Sequence, residues 1–496
     1  MTESRQLPRE AYARAERFLA PNARHLVFQM GVAPHWIDAG GRFWYRSETA
    51  HGAEFVLVDT ERGERRPAFD QAKLAAALSV SLGRPFRAEQ LPFDDITFDV
   101  VERTIRFDVD GQRWVWNDEQ GVLHSEGEQT SQPENEVPSP DGRWVAFVRN
   151  HDLHVRTSDG REVRLTDDGE ADYDYATPLP SPLPGAGIRS NRPTPAGPAA
   201  IWSPDGSRLI THRIDSRDAG RFPLVQSVPL DGSLRPALHS YVYPLPGDEN
   251  VPRVELIVFD VEQQERIPVS GVTMPLLYYG TPLRPESVWW SDDGGALYVL
   301  IRERGYRSYT LWSVDPRTGE SRRLVSEESE TAIEPSIAHG SGQNIRVIRH
   351  GEQIIWYSQR DGWGHLYLYD AAGGELIRQL TSGPWAVVDV KHVDEAGGWI
   401  YFTAVGREAG RDPYFQHLYR TRLDGDGEPE LLTPEDATHE VTFAPSGRCF
   451  VDVHSRVDQA PVAVLRSADG TLTLELERAD ISRLLATGWR PPERFS

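Results

Sequence analysis

Ser358–Asp370 reads SQRDGWGHLYLYD. The Asp361-Gly362 pair is hairpin chemistry, because Gly adopts positive φ freely and Asp accepts hydrogen bonds from nearby backbone N–H groups. The following HLYLY alternates at period two, the spacing of a β-strand. The stretch therefore reads as the turn between two strands and the start of the second. The same wording recurs along the chain. PSPDGRWVAFV (138–148), WSPDGSRLITH (202–212), WSDDGGALYVL (290–300) and FAPSGRCFVDV (443–453) each place a polar Gly turn before apolar and β-branched residues. HWIDAGGRFWYRS (35–47) and HVDEAGGWIYFTA (392–404) are degenerate copies.

A second phrase follows each copy: a short apolar strand, a turn, and a closing strand, as in HLYLYDAAGGELIRQLTSG and HLYRTRLDGDGEPELLTPED. Eight such phrases start near 55, 113, 153, 255, 309, 365, 417 and 462, mostly about 40 to 58 residues apart. Four strands per repeat at this period describe the blades of a β-propeller. The expected fold is thus all-β, an eight-bladed propeller spanning 27–485. Large residues such as Trp144, Trp202, Trp289 and Trp399 are expected to be mostly buried between blades. The interval from 153 to 255 is too long for one blade, so the fourth carries an insertion, placed at 213–254. Residues 1–26 read as a helical lead-in and 486–496 as a polar, Pro-rich linker.

Composition narrows the function. The chain has 496 residues and 53 Lys and Arg against 75 Asp and Glu, a net charge of −22. That opposes nucleic-acid binding, which needs clustered cations. Cys449 is the only cysteine, so neither an intramolecular disulfide nor a Cys-based metal site is available. No signal-like segment and no run of 18 apolar residues is visible, which leads to the expectation of a cytoplasmic protein without a membrane span. No G-x-S-x-G elbow, H-E-x-x-H, Walker loop or G-x-G-x-x-G occurs. The LDGDGE turn does not complete an EF-hand ligand series. No cofactor and no metal are therefore expected. His365 and His417 recur at the same blade position, just before Leu-Tyr, which reads as packing or turn hydrogen bonding.

Four long phrases resemble the N-terminal propeller of the dipeptidyl peptidase IV family of serine peptidases, relatives of prolyl oligopeptidase. DGWGHLYLYD with GELIRQLTSGPWAV (361–387) is similar to that family's sixth-blade signature. The 202–261 segment resembles the fourth blade and its insertion, PSPDGRWVAFVRNHDLHV (138–155) the third, and YARAERFLAPN (12–22) the helical lead-in. The resemblance implies a propeller that filters peptide access to a C-terminal α/β-hydrolase domain bearing Ser, Asp and His. That domain is expected on the same gene or on another chain, so this chain alone is expected to be inactive as a peptidase. The implied reaction is release of N-terminal dipeptides, after Pro or Ala.

Two further expectations follow from the resemblance. The family holds the substrate's amine with adjacent glutamates, and 170–199 has no Glu-Glu. It has EADYDYATPLP, where Asp172 and Asp174 lie on the same side of an extended segment. They either replace the glutamates or are solvated loop acids. Arg149 and Asn150 match a strand end that points to the family's cavity; the alternative for Arg149 is a blade-edge salt bridge. The family's matching arm helps form a homodimer, and 213–254 is rich in apolar residues, so the arm is expected to make a hairpin that forms a homodimer or caps the attached hydrolase domain; the alternative is that it folds back over the rim of its own propeller. The other readings are a free-standing propeller acting as a protein-interaction scaffold, and a propeller glycosidase with its own carboxylate pair.

Overall fold

The computed structural model describes residues 7–99, 104–128, 135–179, 197–229, 232–276, 281–284, 286–336, 344–425 and 427–493. Among them, eight sheets of four or more strands follow one another: 35–67, 97–128, 136–164, 173–275, 288–328, 346–379, 386–431 and 438–478. Seven are four-stranded antiparallel meanders in simple chain order, and the fourth has six strands. The SQRDGWG stretch joins Gln353–Ser358 to His365–Asp370 in the sixth sheet, with Ser358 opposite His365.

Alternation along these strands explains how the sheets stack. Leu366 and Leu368 pack towards Val387, Ile400 and Phe402 of the seventh sheet. Tyr367 and Tyr369 point the other way, towards Tyr309 and Leu311 of the fifth. A strand whose two faces are both covered by neighbouring sheets is apolar at successive positions. The end of the chain meets its beginning in the same manner. Phe43, Tyr45, Val56 and Val58 of the first sheet share a buried cluster with Val451, Ala463, Leu465 and Leu476 of the eighth. The sheets thus form a propeller.

The tryptophans are mostly buried between sheets, as expected, though to different depths. Trp202 is buried, but Trp144, Trp289 and Trp399 are half-buried at the edges of their clusters. Trp144 and Trp399 each open the strand after a turn, where the sheet meets solvent. Arg420 and Arg422 cover the Trp399 ring, at 4.4 and 4.9 Å.

The lead-in forms helices Arg9–Glu16 and Ala20–Ala23, with no buried residue. A third helix, Gln71–Leu82, sits between the first two sheets and buries Leu74, Ala75 and Leu78. Asp70 caps it by accepting from the Lys73 N–H, and Gly83 ends it at φ 67°. The arm of the fourth sheet is shorter than 213–254, because residues 213–215 and 253–254 continue the paired strands Arg208–Asp215 and Arg253–Asp260. Between them, Arg221–Gln226 and Ala237–Val242 form a separate antiparallel hairpin. No helix among the described residues is long and apolar enough to cross a membrane.

Candidate functional site

The site is built where the third sheet, the fourth sheet and the arm meet. Strands Trp144–Arg149 and Asp152–Thr157 are joined by two residues, Asn150 and His151, at φ 51° and 71°. Two successive positive φ values give a turn whose twist matches the flanking strands, and Asn tolerates that geometry. Asn150 is therefore a turn residue, and it carries His151 to the sheet edge. Next to it, Tyr173–Tyr175 pairs with Arg213–Asp215. Arg213 lies over the rings of Tyr173 and Tyr175, at 4.3 and 5.8 Å. Asp172 and Asp174 line a cleft of about 630 Å³ together with His151, Arg221 and Tyr241.

Each acid in the cleft meets a basic side chain from a different element. Arg221 of the arm donates to both carboxylate oxygens of Asp172, at 3.4 Å. Asp174 bonds to the Nδ1 of His151. Asp172 and Asp174 share this cleft, but not as alternate residues of one extended segment: Asp172 precedes the strand Tyr173–Tyr175, in a turn at φ 64°. Neither His151 nor Arg221 was singled out by sequence. Arg149 does not line this cleft. It donates to Glu162 across the third sheet, at 2.8 and 3.1 Å, and holds that carboxyl below its ordinary range. Its guanidinium also covers Phe147 at 5.1 Å. This is the blade-edge pair.

A second polar cluster is closed to solvent. His439, Asp452 and His454 are buried in the eighth sheet, with possible ligand atoms within 4.8 Å of one another. The electrostatics oppose a metal ion there. Arg466 donates to Asp452 at 3.0 Å, so one cation already holds the carboxylate. His439 places Nδ1 2.8 Å from Asp452 and Nε2 3.1 Å from the Glu435 carbonyl. Both partners are acceptors, and satisfying both requires a proton on each ring nitrogen. A divalent ion would add to two cations in a buried space. The recurrent His365 and His417 are likewise buried, and bond to Thr381 and Gly383 and to Thr433 respectively.

Meander sheets closed into a ring, with one sheet extended into an arm, define the class: a β-propeller with a polar cleft at the base of the arm. The sequence profile described as "Dipeptidyl peptidase IV (DPP IV) N-terminal region" matches residues 96–178 and 196–461. The chain belongs to this family. The Emericella nidulans protein named "Probable dipeptidyl-aminopeptidase B" is 29% identical over 385 residues, covering 72% of this chain and 40% of that protein. Its namesake from Aspergillus fumigatus is 26% identical over 373 residues, covering 69% of this chain and 38% of the relative. The chain thus spans about two fifths of the length of these curated relatives. The crystal structure of Porphyromonas gingivalis dipeptidyl peptidase 4 superposes with a TM-score of 0.60 at 19% identity, over 92% of this chain and 60% of that one. That likeness concerns the fold.

Proposed function

We propose that this propeller is the substrate-gating and recognition part of a dipeptidyl-peptidase-IV-like serine peptidase, acting with an α/β-hydrolase domain. The observation that carries the reading is the cleft beside the arm, where Asp174, next to an Asp172 held by Arg221, offers a carboxylate to the ammonium end of a short peptide. A carboxylate within about 4–6 Å favours a charged amine over a neutral end group. The family membership and the names of the relatives point to N-terminal dipeptides. Isothermal calorimetry with the dipeptide Ala-Pro and its N-acetylated form tests the reading. Ala-Pro is expected to bind at least about tenfold more tightly, since losing one ion pair of this kind costs about 1.4 kcal/mol or more. Equal binding of the two would remove the ammonium role of the cleft.

The arm supports a homodimer in this reading. Phe222, Tyr241 and Tyr243 pack on one another at 5.7 to 6.1 Å between ring centres, so the hairpin has internal support. Val225 and Leu238 face each other across it, yet are 60% and 69% exposed. A second copy of the arm would cover them by a two-fold contact. Light scattering is expected to give twice the chain mass for the wild type and the chain mass for Val225→Ser/Leu238→Ser. A monomeric wild type, or a double variant that stays dimeric, would exclude the arm as the interface.

A further inference from the structure

The two basic side chains that meet the cleft's acids differ in kind. Arg221 keeps its charge at every pH a folded protein tolerates. An imidazole ordinarily changes charge between pH 5 and 8. We infer that His151 gates the cleft: Asp172 is withheld by the arm, and Asp174 anchors a ligand's ammonium only when His151 is neutral. This rests on the reading of the cleft as the site for a peptide's amine, and it adds the residue that decides when the site is open. The ligand class is a primary ammonium at the end of a short peptide.

Among the described residues, the neighbouring charges are engaged with partners of their own. On the third sheet, Arg149 is engaged by Glu162, and Asp152 by Arg164 and Thr166. On the fourth sheet, Asp168 faces Arg213, while Glu170 and Asp215 both face Arg217. On the arm, Arg221 faces Asp172, and His239 bonds to Gln226 at 3.0 Å. Among these groups His151 is the titratable partner of Asp174. In acid, the imidazolium and an incoming ammonium compete for one carboxylate. Above the imidazole range the ring retains one hydrogen bond but not the charge, and the ammonium supplies the counter-charge. Asn150 and His151 form a tight two-residue turn between paired strands, so the gate sits on a short hairpin end.

The consequence is reciprocal: a ligand that needs neutral His151 must expel its proton on binding. Calorimetry of Ala-Pro with the wild-type chain, in buffers of different ionisation enthalpy, reads that proton directly. The α-amine stays charged below about pH 7.5, so the window is pH 5.5 to 7. Proton release near pH 6.5 is expected, with affinity rising about tenfold across the window, equivalent to about one pK unit of coupling. His151→Gln, which keeps a donor, is expected to bind equally well at both ends and to release no proton. Wild-type binding without proton release, or a His151→Gln variant with the wild-type slope, would overturn the gate and leave the ammonium site standing. No binding of Ala-Pro by either protein at any pH would overturn the site and the gate with it.

Discussion

Glu477→Ala is expected to loosen the ring at its seam and to cost about 3 kcal/mol in urea denaturation. Glu477 lies on the last strand of the eighth sheet, with its side chain 2% exposed. Its carboxylate accepts from the Tyr45 hydroxyl at 2.9 Å, from Arg65 at 2.9 Å and from the Gln29 amide at 2.6 Å. All three donors come from the start of the chain. Burial, and then the Glu477 carboxylate, push the Tyr45 hydroxyl far above its ordinary range, so it remains a donor at neutral pH. Removing the carboxylate leaves that hydroxyl only the Leu476 carbonyl, at a long 3.5 Å, among the apolar side chains shared by the first and eighth sheets. Arg65 is more than a third exposed and turns to water, which keeps the cost at the lower end of the range for a broken buried pair. Glu477→Gln retains an acceptor for Tyr45 and is expected to lose about 1 kcal/mol. A Glu477→Ala loss below about 0.5 kcal/mol, the ordinary scatter of surface changes, would show that apolar packing alone closes the ring. The backbone pairing of Phe28 with Asp480, at 3.0 Å in each direction, ties the same seam.

The propeller was legible because its signal is local and repeated. Asp361-Gly362 and the alternation of Leu366, Tyr367, Leu368 and Tyr369 specify a turn and a two-faced strand with no distant information. The same words occur in sheet after sheet. The helix Gln71–Leu82 was equally legible and was passed over. Asp70 at its N-cap, Leu74, Leu78 and Leu82 on one side, and Gly83 at its end are standard boundary signals. The depth of the tryptophans was not legible, because a residue beside a turn is covered or not according to where the neighbouring sheet ends. The cleft was legible only in part. Asp172 and Asp174 do share it, but through a turn at Asp172, φ 64°, that strand alternation does not describe. The partners that decide their chemistry lie 23 and 49 positions away, His151 on a turn of another sheet and Arg221 on the arm. Arg149 shows the opposite limit: next to a site residue in sequence, it is directed across its own sheet to Glu162.

Asp452→Asn carries the other large effect, about 3–5 kcal/mol at neutral pH, the range for removing one member of a buried ion pair. The carboxylate sits between His439 at 2.8 Å, Arg466 at 3.0 Å and His454 at 3.7 Å. The side chains of Asp452 and His439 are fully closed to solvent and that of Arg466 is nearly so. Burial alone would raise the Asp452 carboxyl. The hydrogen bond from His439, with the charges of His439 and Arg466, overrides it and holds the group far below its ordinary range. A depressed carboxyl stabilises the fold fully above the unfolded value, near pH 4, and that contribution disappears as pH falls towards the folded one. The wild type should therefore lose stability in acid more steeply than Asp452→Asn. Urea denaturation at pH 7 and at pH 3 reads the difference. The gap between the two proteins is expected to be widest at pH 7 and to narrow at pH 3, where the unfolded chain's Asp452 takes up a proton while the folded one remains ionised. A gap that is the same at both pH values would mean that the amide disrupts packing rather than charge. A gap below about 1 kcal/mol at pH 7 would mean that His439 and Arg466 are satisfied without the carboxylate, by the Glu435 carbonyl and side chain that already meet them at 3.1 and 2.6 Å.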